Sequence, residues 1–160
     1  MTEQYVFDTK HDRYPVAVHV ILQAVIAGHP CVLLMRRAGS GYADGMLGLP
    51  AGHVDLGEIP TDCAVREIAE ELGITLDRDD LIPAGVMFRR SLEPRVDLFF
   101  TTTTWTGTPT IREPHKCTEL VWANPGQLPN DALDYVGQAI TNARDGRQFH
   151  EYGWDTATVR

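Results

Sequence analysis

Three glutamates, Glu67, Glu70 and Glu71, have a spacing that could bring their carboxylates together. On an α-helix, residues three and four positions apart share one face, where like charges repel by roughly 0.2–0.5 kcal/mol per pair. A folded protein gains from that arrangement when a cation lies between the carboxylates. Carboxylate oxygens suit hard divalent ions, and a cluster this small suits Mg²⁺ that keeps several waters and contacts substrate phosphates. Such a pattern more often belongs to a solvent-exposed helix face than to a cation site. The neighbouring residues are therefore needed to distinguish the two interpretations.

The residues around these glutamates predict the helix that positions them. Pro60 suits the first helical position, and Asp62 lies in the first turn, where the helix dipole favours negative charge. Gly73 is typical of the position just after a helix, and Arg66 can pair with Glu70 four residues later. Apolar residues at helical spacing predict a buried face, formed by Ala64, Val65, Ile68 and Leu72.

The segment from Gly52 to Ile74 contains the frame G-x5-E-x7-R-E-U-x-E-E-x-G-U, in which U is aliphatic, and it meets every defined position. This stretch resembles the signature box of the Nudix hydrolase family, of the MutT-like kind. The box positions are Gly52, Glu58, Arg66, Glu67, Glu70, Glu71 and Gly73. The resemblance continues in residues 32–37, which end in paired arginines, in residues 113–122, and at Leu128-Pro129 before a helical run.

This resemblance implies a metal-dependent enzyme with Mg²⁺ as cofactor, for which Mn²⁺ can substitute. It also implies a set of site residues. The metal ligands would be Glu67, Glu70, Glu71 and Gly52, the catalytic residues Glu113, Glu70 and Arg66, and the phosphate-binding residue Arg37. A surface charge at the end of a strand explains Arg37 equally well.

The identity of the general base remains open between several glutamates. No serine or cysteine has a recognisable nucleophile setting, so water is the expected nucleophile and needs a base within hydrogen-bond reach. Glu113 falls where MutT-like enzymes have a loop glutamate that acts as base or as an extra metal ligand. Glu119 is the alternative, unless it simply begins the last strand, and in some relatives a glutamate of the box is the base.

Contacts to the rest of a substrate are less well defined by the sequence. Asn130 and Asp131 lie where MutT-like proteins often present side chains to a nucleobase, although capping of the next helix explains them as well. Three aromatic residues near the C-terminus could stack on a base or pack against the protein: Phe149, Tyr152 and Trp154. The histidines His19, His53 and His115 are interpreted as structural or surface residues.

Composition agrees with a small globular enzyme. The 160 residues predict one domain, 1–160, with a core over about 14–143 and a C-terminal tail over 144–160. The net charge of −8 argues against binding to nucleic acid or an anionic membrane surface, and the N-terminus lacks a signal-peptide pattern. Three scattered cysteines form no disulfide or zinc framework, which favours a cytoplasmic location. The expected partner is a small nucleotide, and the expected assembly is a monomer or homodimer.

Alternating and β-branched residues predict strands over 14–26, 31–37, 81–90, 96–105 and 119–123, whereas helical patterns cover 60–72 and 131–143. Strands interrupted by two helices indicate the α/β class, with a mixed sheet between helices. The resemblance implies the same α/β/α sandwich.

Three functions are compatible with these observations. The first is hydrolysis of a nucleoside triphosphate, including an oxidised or non-standard one, to monophosphate and pyrophosphate. The second is hydrolysis of another diphosphate derivative, such as ADP-ribose, a nucleotide sugar or a dinucleoside polyphosphate. The third is a non-catalytic nucleotide sensor, which the complete set of box residues disfavours.

Overall fold

The computed structural model describes residues 13–154, and its central element is the long strand β1 (Val16–Ile26). The second half of β1 pairs antiparallel with β2 (His29–Arg37), and its first half pairs antiparallel with β4 (Ala51–His53). On its other side, β1 runs parallel to β6 (Pro94–Thr102) along seven residue pairs. The sheet is therefore mixed, as predicted.

Four further strands complete an eight-stranded sheet. Next to β6 lie β5 (Ile82–Arg90), which is antiparallel to it, and then β8 (Phe149–Tyr152), which is parallel to β5. Beyond β2 lie β3 (Leu47–Gly48) and β7 (Cys117–Ala123), both antiparallel to β2.

The alternation of side chains along β1 separates two hydrophobic cores. Val18, Val20 and Leu22 pack with the first helix, α1 (Pro60–Leu72), whereas Ile21 packs with the second, α2 (Asp134–Asp145). Each fully buried aliphatic side chain contributes about 1.5–3 kcal/mol of transfer free energy. Helices on both faces of a mixed sheet confirm the predicted α/β/α sandwich. Within residues 13–154, neither helix is long and apolar enough to cross a membrane.

The predicted ends of α1 are confirmed. Pro60 is the first helical residue, Asp62 lies in the first turn, and the stripe of Ala64, Ile68 and Leu72 is buried. Gly73 ends the helix in the left-handed conformation (φ 67°), and its N–H donates to the carbonyl of Ala69. Glycine adopts this conformation without the steric cost that a Cβ brings.

Two features of the C-terminal third differ from the sequence-based expectation. Helix α2 begins at Asp134, and its N-cap, Leu133, uses no side-chain cap, so helix capping by Asn130 or Asp131 is wrong. Part of the segment predicted as a tail joins the sheet as β8. Trp154 then stacks on Phe88 with ring centroids 5.2 Å apart, and its indole N–H donates to the Phe88 carbonyl.

Candidate active site

Arg66 organises the carboxylates at the start of α1. Its guanidinium donates to both oxygens of Glu58 (2.7 and 2.9 Å), to Glu67 Oε1 (2.7 Å) and to the carbonyl of His53 (3.2 Å). The bidentate pair with Arg66 lowers the pKa of Glu58 to about 2. The predicted partner Glu70 is more weakly engaged, at 3.4 Å, and its side chain is 53% exposed. Arg66 therefore fixes the box loop and Glu67 relative to the helix.

Glu71 is the most perturbed carboxyl group of the cluster. Its pKa is raised to about 8, mainly by burial and also by the negative charges of Glu67 and Glu113. Its Oε2 accepts a hydrogen bond from the Ala51 N–H (3.1 Å). This hydrogen bond favours the charged carboxylate, but its effect on the pKa is smaller than that of burial. The positive charge of Lys116 offsets the effects of burial and of the negative charges only in part, and a bound cation would favour the charged form further.

Gly52 allows the box loop to approach the helix. A Cβ added at this position would overlap the carboxyl group of Glu67, so that side chain would have to turn away. The residues on either side have distinct roles. Ala51 donates its N–H to Glu71, and His53 offers its carbonyl to Arg66. The three residues of β4 thus lie against three of the four box side chains on α1, namely Arg66, Glu67 and Glu71.

We expect Gly52→Ala to lower the free energy of unfolding by about 1 kcal/mol, because the Glu67 side chain must turn away and lose its ion pair with Arg66. Urea unfolding followed by circular dichroism measures this loss. Gly48→Ala is the matched control in β3, since its Cβ would lie at an ordinary 3.6 Å from Leu133 Cδ1. Equal stability of the two variants would contradict the assigned contact.

The segment that carries Glu113 is attached to the same helix. The backbone N–H of Arg112 donates to the carbonyl of Glu71 (3.1 Å), which places Glu113 beside the carboxylates. Glu113 Oε1 accepts from Lys116 Nζ at 2.7 Å. This hydrogen bond is the main cause that raises the pKa of Lys116, and the negative charges of Glu71 and Glu67 contribute to the same shift. Lys116 was not predicted as a site residue, although its position three residues after Glu113 favours an ion pair between them.

Glu119 and Asp131 are engaged elsewhere. Arg36 donates to Glu119 Oε2 and to Asp131 Oδ2, both at 2.6 Å, and also to the carbonyl of Gly45 (2.7 Å). Asn130, next to Asp131, is exposed. This arginine joins β7, the loop before α2 and the loop of residues 38–46, which we call the glycine-rich loop. Glu119, the third residue of β7, and Asp131 thus both pair with Arg36 in this arrangement.

Within residues 13–154, the structure brings part of the predicted site together. The carboxylate cluster consists of Glu58, Arg66, Glu67, Glu71 and Glu113, with Gly52 against it and Glu70 at its exposed margin. Arg37 instead contacts the glycine-rich loop, donating to the Tyr42 carbonyl and to Ser40 Oγ, each at 3.2 Å.

The carboxylates suit a divalent cation by their chemistry, although the described residues contain no ready-made group of three metal-binding side chains. Glu67 faces Arg66, and Glu71 accepts a hydrogen bond from the Ala51 N–H. The donors available at this point are hard oxygens, which are the ligands that Mg²⁺ and Mn²⁺ prefer. Burial is the main cause of the raised pKa of Glu71, and a bound cation would favour its charged form.

The pKa of Glu71 predicts a pH-dependent stability. The folded protein holds this proton more tightly than an unfolded chain, whose glutamate has a pKa of 4.5. The contribution of this proton to the free energy of unfolding is therefore complete at low pH and is lost as the pH rises toward 8. In EDTA, the unfolding free energy of the wild type relative to Glu71→Gln should fall between about pH 5 and pH 8, by at most about 1.4 kcal/mol per pH unit. Urea unfolding at several pH values tests this, and a constant difference would refute it.

The fold and the carboxylate cluster together define the class of protein. The family model described as the NUDIX domain matches residues 13–143, and the chain therefore belongs to the Nudix family. It is a Nudix hydrolase of the MutT-like kind, and this family acts on the pyrophosphate bonds of phosphorus-containing compounds, generally with a divalent metal.

Individual relatives agree with this assignment. The chain is 33% identical over 117 residues, 73% of each chain, to a Bacillus subtilis (strain 168) protein named as a candidate 8-oxo-dGTP diphosphatase. A MutT Nudix hydrolase from Burkholderia pseudomallei superposes with a TM-score of 0.71 at 27% identity, over 82% of this chain and 98% of that one. The Nudix domain of Shewanella oneidensis NrtR, in complex with ADP-ribose, has a TM-score of 0.71 at 19% identity, over 88% and 93%, and shares the fold.

Proposed function

We propose that this protein is a Mg²⁺-dependent hydrolase that cleaves nucleoside triphosphates between the α and β phosphates, with purine nucleotides favoured. The observation that carries the proposal is the carboxylate cluster, in which Glu71 is buried next to the negative charges of Glu67 and Glu113. The similarity to a candidate 8-oxo-dGTP diphosphatase supports a nucleoside triphosphate as substrate. The protein would act in the cytoplasm, where Cys31, Cys63 and Cys117, which are free thiols, stay reduced.

The cation would be held by Glu67, Glu70 and Glu71 together with the carbonyl of Gly52. When bound, Mg²⁺ polarises a phosphoryl oxygen and neutralises charge on the leaving pyrophosphate. Arg66 keeps the Glu67 carboxylate and the Gly52 loop in a fixed relation through the contacts described above. The protein supplies the geometry on which phosphoryl transfer depends most.

Glu113 would act as the general base. It would accept the proton of a water whose oxygen forms a bond to phosphorus, while the bond to the bridging oxygen breaks and the products separate as monophosphate and pyrophosphate. The ammonium of Lys116, 2.7 Å from Glu113 Oε1, holds this side chain next to the other carboxylates. Arg37, at the end of β2, is the proposed phosphate contact, and Asn130 and Asp131 are proposed contacts to the base.

A substrate screen tests the proposal directly. We expect the highest kcat/KM on a purine nucleoside triphosphate, with 8-oxo-dGTP included, in Mg²⁺ or Mn²⁺, and loss of activity in excess EDTA. Hydrolysis in ¹⁸O-labelled water followed by mass spectrometry shows which phosphorus is attacked. A higher kcat/KM on ADP-ribose or a nucleotide sugar than on every nucleoside triphosphate would reject nucleoside triphosphates as the substrate class and favour the other diphosphate derivatives.

A further inference from the structure

The glycine-rich loop is held in one conformation by its own side chains. Asp44 accepts hydrogen bonds from the Ser40 hydroxyl (2.7 Å), from the Ser40 N–H (3.1 Å) and from the Gly41 N–H (2.9 Å). At the other end of the loop, the Arg36 guanidinium donates to the Gly45 carbonyl (2.7 Å). A loop braced in this way resists displacement, so a contact that it makes with a neighbouring segment can fix the position of that segment.

The segment that this loop contacts is the turn of residues 113–116, which carries the proposed base. Beyond the last residue pair of β2 and β7, the Ala38 N–H donates to the Lys116 carbonyl at 2.8 Å. One residue further along each segment, Gly39 lies against His115. A Cβ added at Gly39 would overlap the carbonyl oxygen of His115. Because this oxygen belongs to the backbone, it cannot turn away as the end of a flexible side chain can.

The same turn is attached to α1 on its other side. The Arg112 N–H donates to the carbonyl of Glu71, as described above. Within the turn, the Glu113 carbonyl accepts from the N–H groups of Lys116 (2.9 Å) and Cys117 (3.0 Å). The backbone of Glu113 is therefore tied both to the helix and to the hydrogen bonds of the turn. A displacement of the turn would move the Glu113 carboxylate relative to Glu71.

Two glycines of the loop share a left-handed backbone conformation but differ in their surroundings. The φ angle is +63° at Gly39 and +74° at Gly41, a conformation that glycine adopts without the steric cost of a Cβ. A Cβ added at Gly41 would meet no atom of the described residues within 4 Å. Gly41 is therefore favoured only by its conformation, whereas Gly39 is also required for the close approach of two backbones.

We propose that Gly39 is a positioning residue for the hydrolysis, because its close approach to the His115 carbonyl fixes the turn that holds the Glu113 carboxylate beside Glu71. A side chain at Gly39 would displace this turn, and a displacement on the order of 1 Å can slow an enzymatic reaction about a hundredfold. Gly39 acts through Glu113 and contacts no reacting atom itself. This inference rests on the proposed function, since it assigns a positioning residue to the proposed base.

Steady-state kinetics on the best substrate of the screen compares Gly39→Ala with Gly41→Ala. The two variants carry the same kind of backbone strain, so Gly41→Ala is the matched control and should remain close to the wild type. We expect Gly39→Ala to lower kcat by about tenfold to a hundredfold, with a smaller change in KM.

Combining Gly39→Ala with Glu113→Gln gives a more specific result. If Gly39 acts only through Glu113, its substitution should have little further effect on kcat once the carboxylate is gone, because residues that act as a unit are not additive. A general weakening of the fold would lower kcat in both backgrounds. The double variant therefore distinguishes positioning of the base from a purely structural role.

Amide hydrogen exchange in EDTA tests the contact without substrate or metal. The two N–H groups that donate to the Glu113 carbonyl should exchange faster in Gly39→Ala than in the wild type or in Gly41→Ala, because the turn is displaced. The Arg147 N–H, which donates to the carbonyl of Asn142 at the end of α2, should exchange at the same rate in all three proteins.

The inference is overturned if Gly39→Ala and Gly41→Ala have equal kcat, if Gly39→Ala is equally harmful in the Glu113→Gln background, or if amide exchange in the turn is unchanged. Full activity of Glu113→Gln would reject the proposed base and this inference with it. Turnover of only another diphosphate derivative, with Gly39→Ala impaired and Gly41→Ala normal, would support the inference and reject the proposed substrate class.

Discussion

Replacing Glu71 by glutamine is expected to lower kcat by about a hundredfold or more, the scale of losing a major electrostatic element of a transition state. The substitution removes the buried negative charge that would hold Mg²⁺, while the glutamine oxygen can still accept from the Ala51 N–H. We expect the same effect for Glu67→Gln. Steady-state kinetics on the best substrate of the screen, over a range of Mg²⁺ concentrations, measures the loss.

The matched control for this experiment is Asp62→Asn on the same helix. Asp62 pairs with Arg78 at 3.0 Å on the exposed surface, so its loss should change stability by only about 0.5 kcal/mol and leave kcat unchanged. Thermal unfolding of all variants in EDTA separates a catalytic defect from a folding defect. Full activity of Glu71→Gln, or full activity of the wild type in excess EDTA, would rule out the carboxylate cluster as the metal site.

Replacing Glu113 by glutamine should reduce kcat by about 10²–10⁴-fold near neutral pH, the usual contribution of a general base. Glutamine keeps the size of the side chain and an acceptor for Lys116, so the loop should stay in place. The loss should become smaller at higher pH, where hydroxide replaces the base-assisted water. The pH profile of kcat distinguishes this result from a defect in substrate binding, which would appear mainly in KM.

Glu119→Gln is the appropriate comparison because it tests the alternative base. Its ion pair with Arg36 is partly exposed, and pairs of this type contribute only about 0–1 kcal/mol to stability. We therefore expect nearly normal kcat for Glu119→Gln. If Glu119→Gln is strongly impaired and Glu113→Gln resembles the wild type, the assignment of the base is reversed.

Arg66 makes the predicted contact with Glu70, at 3.4 Å, but its shorter contacts are with other carboxylates. A spacing of four residues predicts a pair with Glu70, yet the short contacts are with Glu58 and Glu67. The loop from Gly52 to Glu58 folds back on the helix, which brings a carboxylate eight residues before Arg66 into bidentate reach. Helical spacing accounts only for neighbours on the same helix, so this partner could not be derived from it.

Local sequence patterns were sufficient to predict the helix and the strands that position the site. The ends of α1 depend on Pro60 and Gly73, whose backbone preferences act within a few residues, and the alternation of β1 follows from the period of a strand. The box residues could be named from the sequence because their spacing is fixed along a single helix and the loop before it. The α/β/α arrangement follows from strands and helices that must each bury one face.

Only the tertiary structure decided how distant segments meet. It placed Glu113 beside Glu71 and directed Glu119 to Arg36, although both glutamates lie on the same stretch of chain. It also added β8 to the sheet and brought Arg89 against Asp97. These contacts depend on strand order and register, which are set by the packing of the whole sheet and leave no periodic signal in the sequence. The sequence alone thus determined the chemistry available on α1, whereas the fold determined which charges are buried, which are paired, and which remain for a substrate.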